Sequence, residues 1–217
     1  MKILDIHTHH PAPQPEAVVS IMLPLEELPE LLPDQAYSVG IHPWTPADKV
    51  DDRCWQMLEA LAERPEVVAI GECGLDLAKN ASPLFRQLQI FKRHIELSEK
   101  LHKPMIIHSV KSHDIIAGMR RDLKPTQNWA IHGFRQNPLT AAMLLRSGCW
   151  LSFGPLLNED TVRQCPPDRI LTETDDSDVS IDDVILTVAR AAGRPVREEI
   201  KANIRHFLSP DDDFKES

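Results

Sequence analysis

The sequence predicts an α/β fold, a single closed barrel of parallel strands that is compact for its kind. Three observations point there. Short apolar runs rich in Val, Ile and aromatic residues, bounded by Pro, Gly or polar clusters, recur eight times along the chain, and such runs are the signature of buried strands. Most are apolar throughout instead of alternating, which suits parallel strands covered on both faces. Stretches of helical spacing separate most of them, and this alternation implies right-handed βαβ units, with eight strands pointing to closure.

In order, the strands are expected at 3–8, 17–23, 36–42, 67–73, 104–109, 128–133, 149–154 and 170–175. Helices are expected at 51–64, 84–102, 112–123, 138–147, 181–192 and 196–208. The second of these sets Leu84, Leu88, Phe91, Ile95 and Leu101 along one stripe. The first third of the chain is economical: prolines at 11, 13 and 15 leave no room for a helix between the first two strands. Residues 26–32 allow at most a turn or two before the third. At 217 residues the chain can bury one substantial core, against roughly 250 residues for a typical barrel. One domain is expected over 1–210, with the acidic segment 211–217 a disordered tail.

The net charge of -9, from 24 Lys plus Arg against 33 Asp plus Glu, excludes a global positive field for polyanions. Contact with nucleic acid would have to be local, with bound cations supplying the charge. Four cysteines form no C-x-x-C pair, which fits a reducing compartment. There is neither an apolar leader nor an 18-residue apolar run, so a soluble, cytoplasmic protein without membrane association is expected. No feature calls for an obligate protein partner.

The chemistry gathers at strand ends. The first strand closes Asp5-Ile6-His7-Thr8-His9, and the two-residue period turns His7 and His9 the same way, roughly 6.6 Å apart in rise. Glu72 ends the fourth apolar run between glycines, a costly place for a carboxylate unless it meets a cation. His108 and His132 each terminate an apolar run at the same end of neighbouring strands, and Asp175 takes the equivalent place on the eighth. Asp175 can bind a metal through one oxygen while the other accepts a proton from water. Glu173 shares its face as a deeper acid. Singly, each has an ordinary reading as a core histidine or a loop acid. Together, four histidines and two carboxylates at one end of one barrel form a metal-binding set. Imidazole with carboxylate suits Zn, Mn, Fe or Ni, and an open site also suits Mg. Six ligands suggest two ions bridged by Glu72, a pair that would clamp both oxygens of a displacement.

His7-Thr8-His9, Gly40-Ile41-His42-Pro43, Gly71-Glu72-Cys73-Gly74-Leu75-Asp76, Ile107-His108-Ser109, His132-Gly133-Phe134 and Glu173-Thr174-Asp175 stand in the order and spacing of the TatD family of metal-dependent deoxyribonucleases, within the amidohydrolase superfamily. Asn203 and Phe207 resemble that family's closing motif. The resemblance implies a distorted TIM (β/α)8 barrel with one to three divalent ions (Mg, Mn or Zn). His7, His9, Glu72 and Asp175 would surround one position, and Glu72, His108 and His132 another. It also implies phosphodiester hydrolysis at DNA 3′ ends, in which a metal-activated water attacks phosphorus and Asp175 takes its proton, with Asp175 and Glu72 as the catalytic residues. His42 resembles the family's phosphate-proximal histidine.

The chain departs from the family in three places. Ser109 leads to Val110 and Lys111 where members commonly carry an arginine, and Lys lacks the bidentate fork for phosphate. Gly133-Phe134 leads to Arg135, a substitute phosphate clamp. Asp176-Ser177-Asp178 replaces the usual proline and adds negative charge beside the site. Trp44 is the best candidate for stacking a base; the alternative is a packing role at the barrel rim. His42, Trp44, Lys111 and Arg135 are thus the expected substrate contacts. The leading expectation is a phosphodiesterase acting on DNA ends. A hydrolase of a small phosphoester, lactone or amide and a non-catalytic barrel scaffold are the alternatives.

Overall fold

The computed structural model describes residues 2–78 and 82–209; the expected tail at 211–217 lies outside them. Eight strands form one sheet in chain order: β1 (Asp5–Thr8), β2 (Ala17–Leu23), β3 (Ala36–Ile41), β4 (Val67–Asp76), β5 (Met105–Val110), β6 (Trp129–Ile131), β7 (Trp150–Phe153) and β8 (Ile170–Thr172). Every neighbouring pair is parallel. A single bridge, Thr8 to Asp175, joins the last strand's end to the first, so the sheet closes into a TIM barrel distorted at its β1–β8 seam.

Helices α1 (Asp52–Ala62), α2 (Leu84–Leu101), α3 (His113–Leu123), α4 (Pro138–Arg146), α6 (Ile181–Ala192) and α7 (Arg197–Leu208) occupy the expected stretches. Their starts follow local chemistry: Asp51, Asn137 and Ser180 each accept a backbone N–H from the first turn, which satisfies an otherwise orphaned donor. Helix α5 (Glu159–Gln164) was not expected. Its six residues are too few for a periodic signal, although Asn158 caps it from Thr161 N–H. Between β1 and β2, and between β2 and β3, the described chain runs without a helix.

The core divides between the barrel interior and the helix–sheet shell, where Trp129, Trp150, Phe91, Phe153 and Phe207 are fully buried. The buried face of α2 differs from the expected stripe. Leu84 is exposed, while the polar residues Gln87, His94 and Ser98 are buried with Phe91 and Ile95. The difference has a physical reason, because these polar side chains satisfy backbone groups at strand ends. Gln87 donates to Asp76 O and accepts Asp76 N–H, His94 Nε2 accepts Ile41 N–H, and Ser98 donates to Lys103 O.

Two strands carry an extra residue. Asp5 pairs with Ala17 and Thr8 with Val19, and Ile70 pairs with Met105 and Cys73 with Ile107. Both irregularities fall at the segments bearing His7 and Glu72, and a bulge of this kind re-aims side chains. At Gly71, with φ near +149°, an added Cβ would stand 2.3 Å from Ile106 O; the strand can bulge here only without a side chain.

His94 makes the fold sensitive to acid. Burial lowers its imidazole from the ordinary 6.5 to about 4, and the neutral ring accepts from Ile41 and donates from Nδ1 to Ile90 O. The unfolded chain therefore binds one more proton than the native protein between those values. The contribution is intact above pH 6.5 and is lost as pH falls toward 4, on the order of 3 kcal/mol. Denaturant titrations across this range should show a steeper acid limb for wild type than for His94→Gln, which offers one acceptor and one donor without a titrating ring. Parallel limbs would contradict the assignment.

Candidate metal centre

The side chains that terminate β1, β4, β5, β6 and β8 converge on the C-terminal end of the barrel. Glu72 lies at their centre, 3% exposed, and its two oxygens face different partners. Oε2 stands 3.4 Å from Nε2 of both His7 and His9, and Asp175 Oδ1 completes the group at 3.6 and 3.5 Å from the same two nitrogens. Oε1 stands 2.7 Å from His108 Nδ1, 2.7 Å from His132 Nε2 and 3.1 Å from His42 Nε2. The groups adjoin, since ligand atoms of His7, His132 and Asp175 also lie within 4.8 Å of one another.

The first group fits a divalent ion. His7 is wholly buried, yet neither of its ring nitrogens has a hydrogen-bond partner, an expensive condition for a polar group. The separations are too long for hydrogen bonds, but four ligands about 2.1 Å from one ion in a tetrahedron stand about 3.4 Å apart.

The second group is sorted by what each imidazole does with its other nitrogen. His108 Nε2 faces Asp76 Oδ2 at 3.2 Å and His132 Nδ1 faces Glu173 Oε1 at 3.3 Å. Carboxylates only accept, so those nitrogens carry the protons, and His108 Nδ1 and His132 Nε2 are left to face Glu72. His42 is the reverse: Nδ1 accepts the Trp44 backbone N–H at 3.1 Å, so a neutral ring carries its proton on Nε2 and donates it to Glu72 Oε1. Burial holds the His42 imidazole below its usual range, in keeping with a neutral ring.

The electrostatics describe a site that calls for positive charge. Burial opposes ionisation of Glu72, but the charge on His132 and hydrogen bonds from His108, His132 and His42 hold it well below the carboxylate range. Burial and the neighbouring His132 oppose protonation of His7, yet Asp175 and Glu72 lift it to about 9. Divalent ions would take the place of those protons.

The surroundings lock this geometry. Asp5, buried beneath His7, accepts His7 N–H, Thr174 N–H and the Thr174 hydroxyl, which ties β1 to the chain leaving β8; burial pushes its carboxyl up to about 7. Beside the Thr8 hydroxyl, which donates to Asp175 O at 3.2 Å, the seam carries His9 N–H to Asp175 O and Asp175 N–H to His7 O, each 2.9 Å. Glu173, wholly buried, accepts from Gly133 N–H as well as His132. His10 Nε2 meets Ser177 O at 2.9 Å, so it faces the loop after β8 and not the ligand groups.

A cleft of about 400 Å³ opens above Glu72, lined by His9, Met22, His42, Trp44, His108, His132, Asp175 and Asp176. Trp44 stands at its mouth, 45% exposed. Lys111 and Arg135 are exposed and are not among the lining residues. Phe134, near the loops in sequence, is buried and offers no platform for a base. Asp76, Asp5 and Thr174 were not singled out in the sequence; the signal for Asp76 is the two-residue period, which puts it on the Glu72 side of β4. A groove of about 560 Å³ between α6 and α7 is larger, but no ligating cluster found among the described residues falls there.

Comparison with known proteins follows the same lines. The profile of the family described as TatD related DNase matches residues 19–194. The chain is 33% identical over 147 residues to the uncharacterized metal-dependent hydrolase YcfH of Escherichia coli (strain K12), covering 64% of this chain and 54% of that protein. It is 32% identical over 147 residues to a protein of Erwinia billingiae named 3′-5′ ssDNA/RNA exonuclease TatD, covering 64% and 56%. The chain thus spans about half the length of these curated relatives. The crystal structure of YjjV, a TatD homolog from Escherichia coli K12, superposes with a TM-score of 0.81 at 20% identity, covering 96% of this chain and 98% of that one, which establishes the shared fold.

Because Glu72 reaches both groups, it is the position whose loss should affect every ion. A hundredfold excess of Mn²⁺ or Zn²⁺ over Kd should stabilise wild type by about 2.7 kcal/mol per ion, read as a rise in Tm. Glu72→Gln should lose that rise, and calorimetric titration should detect neither ion, whereas His9→Ala should still bind one. Unaltered titration of Glu72→Gln would contradict the arrangement.

Proposed function

The chain belongs to the TatD-related DNase family, whose profile covers residues 19–194, and on that premise we propose that it is a metal-dependent hydrolase that cleaves phosphodiesters at DNA 3′ ends. One observation carries the reading: a buried carboxylate, Glu72, shared between two nitrogen sets at the floor of a solvent-open cleft. His7, His9, Asp175 and Glu72 Oε2 would hold one divalent ion, and Glu72 Oε1 with His108 and His132 a second; Mg, Mn or Zn suits these donors. Such ions supply Lewis acidity to a phosphoryl oxygen and to water. The Erwinia billingiae relative, named a 3′-5′ ssDNA/RNA exonuclease, supports the 3′ polarity.

The residues divide the work by position. Asp175 turns Oδ1 toward His7 and His9, which leaves Oδ2 to take the proton of the attacking water. Burial opposes its ionisation, but the contact with His7 and the charge of His132 hold it below the carboxylate range, so it is available as a base. His42 lines the cleft with its Nε2–H on Glu72 Oε1, and with a cation engaging Glu72 that N–H can be shared with a phosphate oxygen. Trp44 offers its exposed ring to the terminal base. Lys111 and Arg135 are assigned to the backbone of a longer strand outside the cleft.

A second reading has its own support. Among the described residues Asp176 lines the cleft and no Lys or Arg does, which favours a substrate with a single phosphoryl group over a polyanion. A scaffold without catalysis is disfavoured, because orphaned buried His7 and ionised Glu72 have no use in one.

Asp175→Asn is the decisive variant. Asp175 has φ near +57°, a conformation that Asn tolerates, so the variant should fold while hydrolysis of a 3′-labelled oligonucleotide with Mg²⁺ or Mn²⁺ falls about 10²–10⁴-fold. Chelator should abolish wild-type activity. In a parallel assay on a small chromogenic phosphodiester, turnover of the ester with intact oligonucleotide would replace the DNA reading by the second one.

A further inference from the structure

Asp76 ends β4 four residues beyond Glu72 and is 2% exposed. A buried carboxylate must be compensated, and this one is held from several sides. Oδ1 accepts Ala78 N–H at 2.8 Å. Oδ2 accepts the indole N–H of Trp44 at 2.6 Å and lies 3.2 Å from His108 Nε2. Its backbone is gripped by Gln87 of α2, which accepts Asp76 N–H at 2.8 Å and donates to Asp76 O at 3.0 Å. The carboxylate therefore has little freedom to turn, and the atom that touches His108 is the same atom that Trp44 holds.

We propose that Trp44 and Asp76 are positioning residues for the second ion: the Trp44 indole N–H pins Asp76 Oδ2 on His108 Nε2, which commits His108 Nδ1 to the ion shared with Glu72. The inference rests on the reading that Glu72, His108 and His132 hold a cation. The physical basis is the requirement that a ligating imidazole donate its other N–H to an acceptor, which fixes ring orientation and raises basicity. Glu173 does the same for His132. The pairing of β4 with β5 sets Gly74 opposite His108, and an added Cβ at Gly74 would stand 2.1 Å from His108 O, so the two strands approach closely where the dyad forms. Trp44 thereby links the cleft mouth to the ion site. Its ring packs edge-on against His42 and His108, with centroids 4.6 and 5.7 Å away, while its N–H is directed inward.

The test compares wild type, Asp76→Asn, Trp44→Phe and the double variant by calorimetric titration of the metal-free protein with Zn²⁺. Asp76→Asn should weaken one binding step about 10–100-fold and leave the step assigned to His7 and His9 within about threefold. Trp44→Phe keeps the ring but removes the donor and should weaken the same step by a smaller factor. Because Trp44 acts through Asp76, the double variant should be no weaker than Asp76→Asn alone. In the Zn²⁺-loaded protein with ¹⁵N-labelled histidine, the His108 Nε2–H resonance of wild type should be lost in Asp76→Asn. Unchanged binding of both ions in the single variants, or additive losses in the double variant, would overturn the proposal. Oligonucleotide hydrolysis by wild type, run in parallel, separates the two ideas. A wild type that binds both ions without cleaving DNA defeats the nuclease reading and leaves the positioning result to stand.

Discussion

A carboxylate inside a barrel must be compensated where it stands, and the ligand end of this protein is arranged around that requirement at Glu72. Five imidazoles close on its two oxygens, Asp175 stands against two of them, and none of the six comes from its own strand. Each is delivered by the end of another strand: His7 and His9 by β1, His42 by β3, His108 by β5, His132 by β6 and Asp175 by β8. A two-layer sheet could not bring so many termini to one point. A closed parallel sheet does, because its strands all point the same way and their ends form a ring.

The ring itself depends on local irregularity. The barrel closes at its seam through the Thr8–Asp175 bridge and the Asp5–Thr174 contacts, and these bring Asp175 Oδ1 to 3.6 and 3.5 Å from His7 and His9 Nε2. The extra residue in β4 re-aims Glu72, and Gly71 permits it because Ile106 O occupies the place of a side chain. Fold and site share these features, so a substitution at the seam acts on stability and on metal affinity together. The helices serve the same end indirectly. Through His94 and Gln87, α2 fixes the backbone just before His42 and at Asp76.

Around the ligands, a second layer of acids decides what each imidazole offers. Asp76 and Glu173 accept an N–H from one side of His108 and His132, and the Trp44 backbone supplies a donor to His42. Three chemically identical side chains thereby acquire two roles, two as lone-pair donors and one as an N–H donor. The difference lies in the partner on the far side of each ring.

The convergence of His7, His9, Glu72, His108, His132 and Asp175 was legible in the sequence because strand periodicity is local. A histidine or acid that closes an apolar run is visible in five residues, and the recurrence of that pattern on successive runs implied both the barrel and the shared end. Helices long enough to show two turns of periodicity were legible for the same reason, whereas the six residues of α5 were not. What the chain's order could not convey depended on distances across the barrel. That Glu72 serves two groups with separate oxygens, that Trp44 reaches Asp76 across 32 positions, and that the cleft admits Asp176 but not Lys111 or Arg135 follow from closure and register. These properties belong to pairs of residues far apart in sequence, and only the folded barrel brings the members of each pair together.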